Sequence, residues 1–166
     1  MTKEMVMSYP ADAFVRVTDG QAPDGALVYV RDVWALITHL PGSQGRVDKT
    51  LILTGPEAGA IYGRFSDTGL ATAPGVNVEV RVLPENRIVN GSHTTHSAVV
   101  ISPQGGYHFW GHIQGSVAHR YGFSPDGSPV AEAEHELAPF VMFKKFEVWL
   151  SRGGQLLSDK PLFIVG

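Results

Sequence analysis

The chain has 166 residues and a net charge of −3, enough for one sizeable core and without the basic stripe of a nucleic-acid partner. It has no run of about 18 apolar residues, so no membrane partner is expected. It has no cysteine, which excludes disulfides, thiolate metal sites and a cysteine nucleophile.

Charged residues make up 17% of the chain, against roughly 25% in an average soluble domain. The 19 glycines and 11 prolines exceed their usual joint share of about 12%. Many short strands joined by tight turns fit this composition. Low charge also suits a subunit interface, so a homodimer is expected. The first ten residues carry Glu4 and lack the apolar region of a secretion signal, which points to the cytoplasm.

In chain order, strand-like runs rich in Val, Ile, Phe, Tyr and Trp occur at 13–18, 26–39, 49–54, 59–66, 76–83, 87–90, 94–102, 107–118, 139–151 and 162–165. Turn residues punctuate them, among them Pro23-Asp24-Gly25 and Ser124-Pro125-Asp126-Gly127. Short connections make neighbours antiparallel and leave no room for a series of crossover helices. One segment departs from this pattern. Ser128 suits an N-cap, Pro129 the first helical position, and acids follow, so a short helix is predicted near 129–137. So many strands curl or split a single open sheet. The sequence reads as a single all-β domain over 1–166, an antiparallel β-barrel of about eight to ten strands. A two-sheet β-sandwich is the alternative.

The most informative stretch is 94–113, a predicted hairpin with its turn at 102–106. If Ile101 pairs with Tyr107, then Val100 faces His108, Ala98 faces Trp110 and His96 faces His112. Opposed residues share a face, with Cβ atoms about 4.5–5.5 Å apart. His96 and His112 then form a candidate proton-handling pair, with Trp110 as an apolar wall and His108 further along. The opposite face, with Val99, Ile101, Tyr107, Phe109 and Ile113, is the better candidate for a packed core. Asp32 and Trp34 fall on one face of the run 26–39. A carboxylate beside tryptophan in a cavity has a raised pKa and can act as an acid. Trp34 and Asp32 therefore join Trp110 and His108 as candidate ligand-binding residues.

No metal set emerges. His93 and His96 point to opposite faces of a strand, and His108 lies roughly 13 Å from His112 along one. No Gly-x-Ser-x-Gly motif or helix-opening glycine loop is present, and no cofactor is expected. The first functional expectation is a barrel that binds an apolar small molecule. It could act as a cofactor-independent isomerase or cyclase through acid–base chemistry at His96 and His112. The second is a non-catalytic binding or assembly module, such as a carbohydrate-binding or structural β-sandwich whose exposed aromatics stack on sugars or partners. A histidine–metal barrel is the third.

Overall fold

The computed structural model describes residues 9–18, 21–83, 85, 87–89, 98–101, 106–113, 116–131 and 141–166. A 3-10 turn, Ala11–Ala13, leads into β1 (Phe14–Val17). Then follow β2 (Leu27–Val30), β3 (Val33–Gly42), β4 (Gly45–Ile52), β5 (Ala60–Tyr62), β6 (Gly69–Thr72) and β7 (Asn77–Val82). The second half holds β8 (Arg87–Val89), β9 (Ala98–Ile101), β10 (Tyr107–Ile113), β11 (Ser116–Phe123) and β12 (Pro129–Ala131). The last strands are β13 (Val141–Phe143), β14 (Phe146–Arg152), β15 (Gln155–Leu156) and β16 (Phe163–Val165).

The larger sheet runs β1-β6-β2-β3-β4-β5-β10-β9-β13-β8, with β11 on the other edge of β10 and β12 on β11. Its pairings are antiparallel except for β5 with β10. In the smaller sheet β14 pairs with β7 along one edge and with β15 and β16 along the other. The two sheets share one core. Trp34 stacks on Phe163 at 5.8 Å between ring centroids, and Phe109 meets Phe146 at 5.9 Å. Leu27, Leu36, Leu51, Phe123, Val148 and Leu150 fill the space around them. Each such side chain contributes about 1.5–3 kcal/mol relative to an exposed position. Gly111 sits where β10 crosses this core. A Cβ there would come 2.4 Å from Leu51 Cδ1 and 2.8 Å from the Gly59 carbonyl, so only glycine lets the chains approach. The far face of β2 and β3 is also covered, by Ala22, Ala26, Ala71 and the partly buried Phe65.

The all-β reading holds, and the hairpin register holds where it is described. Tyr107 pairs with Ile101, His108 with Val100 and Trp110 with Ala98. Four expectations change. First, the described strands do not close into a barrel: the strand order of the large sheet ends on β1, β8 and β12, and the sheet packs against the small one in a sandwich-like manner. Second, the described part of the run 139–151 is two strands, because Lys144-Lys145 breaks it and sends β13 and β14 into different sheets. Third, 129–131 is strand β12, paired with β11, where a helix start was predicted; residues 132–137 of that helix lie outside the described residues. Fourth, the run 26–39 is a hairpin. Arg31 and Asp32 take φ of 51° and 62° and form the two-residue turn between Val30 and Val33. Among the described residues no helix is long and apolar enough to cross a membrane.

Candidate functional site

The described residues among those singled out from the sequence do not line one common opening. His96 lies outside the described residues. His108, Trp110 and His112 alternate along β10 and share a face, while Tyr107, Phe109 and Ile113 join the core from the other. His112 has Ala60 of β5 on one side and Arg120 of β11 on the other. Its N–H donates to the Gly59 carbonyl at 2.8 Å. The place across from His112 that the hairpin register assigns to position 96 is thus taken by β5. Trp110 is buried at 2% exposure between Ala98 and Gly122. Trp34 is buried at 1% and belongs to the core, in contact with Phe163, Tyr29 and Phe14. Asp32 is exposed in its turn and accepts a hydrogen bond from the Tyr29 hydroxyl at 3.3 Å. The turn takes Asp32 out of the strand, so Asp32 and Trp34 do not line a common face.

Two other constellations stand at opposite ends of the β3–β4 ladder. The first is charged. Asp24 lies in the Pro23-Asp24-Gly25 turn. Its Oδ2 receives His39 Nδ1 at 2.7 Å, and its Oδ1 receives Arg46 at 2.9 Å and Arg64 at 3.1 Å. Arg46 also donates to Asp48, opposite His39 in the register. Arg64, 16% exposed, donates further to the carbonyls of Ala22 and Thr38. The Pro125-Asp126-Gly127 turn locks onto the same place, where the Gly127 carbonyl accepts the buried Thr38 hydroxyl. A Cβ on Gly127 would come 2.4 Å from Gly25 N, so the two turns interlock only with glycine there. The Ser128 backbone N–H holds the Asp126 carboxyl below its usual range, and the Arg46 hydrogen bond does the same for Asp48. A hollow of about 380 Å³ opens beside these turns. Its two carboxylates, Asp24 and Asp126, already accept donors from the protein. Two carboxylates, Asp24 and Asp48, face two guanidinium groups, Arg46 and Arg64, so the cluster is balanced and works as a clasp.

The second constellation is aromatic. A cleft of about 310 Å³ is lined by Arg31, Val33, Ile52, Pro56, Glu57, Tyr62 and Phe65. Arg31 enters from the β2–β3 turn, Val33 and Ile52 from the ladder, and Pro56 and Glu57 from the loop before β5. Tyr62 ends β5 and Phe65 follows it. Because the strand stops at Tyr62, these rings converge, with centroids 6.1 Å apart and planes at 44°. On a continued strand, residues three apart would point to opposite faces. Arg31 lies 4.5 Å above the Phe65 ring and makes a bidentate pair with Asp67, at 3.0 and 2.7 Å. That pair raises the Arg31 pKa and lowers that of Asp67. Across the cleft, the Tyr62 hydroxyl donates to Glu57 Oε1, and this hydrogen bond raises the Tyr62 pKa. Among the described residues no cation pairs with Glu57.

Sequence reasoning passed over this cleft. Arg31 lacks the glycine that usually flags a two-residue turn, and Tyr62 and Phe65 sat inside one predicted strand. The single readable signal was two aromatics three apart in a short segment. No protein-family model, curated protein or solved structure matches the chain. Among the described residues no group of three or more His, Asp or Glu side chains is placed to hold a metal.

Proposed function

We propose that this chain is a small-molecule-binding module whose ligand seats its apolar part in the cleft at Tyr62 and Phe65. The observation that carries the reading is the convergence of two aromatic rings over Val33, Ile52 and Pro56 at a surface opening. Ligand sites combine apolar and aromatic walls with a few polar groups, in volumes of about 300–1,000 Å³. The cleft stands at the lower end of that range, suited to a single ring with a short substituent. Arg31 with Asp67 and Tyr62 with Glu57 are each paired across the rim, which fixes the walls before a ligand arrives. The core between the sheets is filled by side chains such as Trp34, Phe109 and Phe163, which favours a surface site over a barrel lumen. Binding is the part of the sequence expectation this geometry supports. The acid–base chemistry assigned to His96 and His112 gains no support from the described residues.

Ligand-observed NMR with phenylethanol tests the reading. Saturation transfer with an affinity in the millimolar range is expected for the native protein, and its loss for Tyr62→Ala. Equal transfer in the variant, with the fold intact by circular dichroism, overturns the site.

A further inference from the structure

We infer that the ligand taken by the Tyr62–Phe65 cleft is an organic cation, an ammonium group on a short apolar body. This rests on the binding reading above. The charges around the opening do not cancel. Arg31 and Asp67 neutralise each other through two hydrogen bonds. Glu57 remains, a carboxylate whose Oε1 accepts the Tyr62 hydroxyl and which no cation pairs among the described residues. With Arg31 bound to Asp67, Glu57 is left as the uncompensated charge of the cleft, beside an aromatic ring. That combination recognises an alkylammonium: the carboxylate supplies Coulomb attraction and an acceptor, and the ring face supplies cation–π attraction. The molecule already shows the chemistry once, since the Arg31 guanidinium lies over the face of Phe65 at 4.5 Å. Tyr62 is the second ring, held in place by its bond to Glu57, and it offers the matching position to a ligand cation.

Other ligand classes fit less well. An anion would meet Glu57, and the one cation lining the cleft, Arg31, is already committed to Asp67. A neutral polyhydroxylated ring needs several free donors and acceptors in one plane, and here the rim groups bond each other. The chain's net charge of −3 also favours approach of a cation over an anion.

The test uses three probes of the same shape: phenethylammonium, neutral phenylethanol and anionic phenylacetate. Each is titrated into the native protein and Glu57→Gln while backbone amide shifts are followed. Phenethylammonium should bind about tenfold more tightly than phenylethanol, with phenylacetate weakest. Raising salt to about 0.3 M should weaken the cation and leave the alcohol unchanged. Glu57→Gln keeps an acceptor for the Tyr62 hydroxyl at an exposed site. It should melt like the native protein and bind the cation no better than the alcohol. Equal binding of cation and alcohol by the native protein overturns the cationic assignment and leaves the cleft standing. So does an undiminished preference in Glu57→Gln. If none of the three probes shifts cleft amides, the binding reading itself fails, and the inference with it.

Discussion

The two ends of the β3–β4 ladder are built from the same strands and hold opposite kinds of site. At one end Asp24, His39, Arg46, Asp48 and Arg64 interlock, each carboxylate answered by a guanidinium. At the other, Tyr62 and Phe65 open onto apolar walls with one carboxylate left over. Consecutive residues serve the two: Arg64 reaches the clasp and Phe65 lines the cleft. The difference teaches how to separate structure from function in a β protein. Charges that satisfy one another hold turns together. Apolar surface and charge left over are what single out the cleft as the proposed ligand site.

The comparison can be broken most forcefully at Trp34, a candidate ligand residue from sequence and a core residue in the structure. Trp34→Ala should cost about 3–5 kcal/mol in denaturant unfolding, as large core truncations do. A loss below about 1 kcal/mol would return Trp34 to the list of binding residues. Arg64→Ala comes next. It leaves Asp24 and the Ala22 and Thr38 carbonyls short of a donor in a largely buried place, at a cost of about 2 kcal/mol. Its neighbour Phe65 should still bind, so probe affinity at the cleft should stay within about twofold of native in the same titration. A joint collapse of stability and binding would show that clasp and cleft are one unit.

The smallest effect is the acid dependence. Arg46 lowers the Asp48 pKa, the Ser128 N–H lowers that of Asp126 and Arg31 lowers that of Asp67. A carboxyl held below its unfolded value stabilises the fold above that value and loses this as pH falls through the folded one. Melting temperature should therefore drop as pH falls below the ordinary carboxylate value of 3.8. Asp126→Asn should make that drop shallower. An unchanged acid limb would show that the Asp126–Ser128 hydrogen bond adds nothing to the stability of the fold.

How much of this was legible in the sequence follows from the distance over which each feature assembles. The register of Tyr107 with Ile101 was readable because a local turn sets it. The parallel pairing of His112 with Ala60 was not, because β5 arrives from a distant part of the chain and takes the slot assigned to position 96. The turn at Arg31 and Asp32 was read through as strand, since Asp tolerates positive φ without the glycine that announces it. The cleft needs that turn, the early stop of β5 and the loop carrying Glu57 at once. None of these alters the hydrophobic pattern that strand reading relies on.

The most direct test of the central claim is a map of amide shifts on adding phenethylammonium. Changes confined to residues 31–33, 52–57 and 62–67, with 24, 39, 46 and 48 silent, are the expected result. Changes centred instead on 108–112 would contradict it and return the site to the face of β10 that the sequence first suggested.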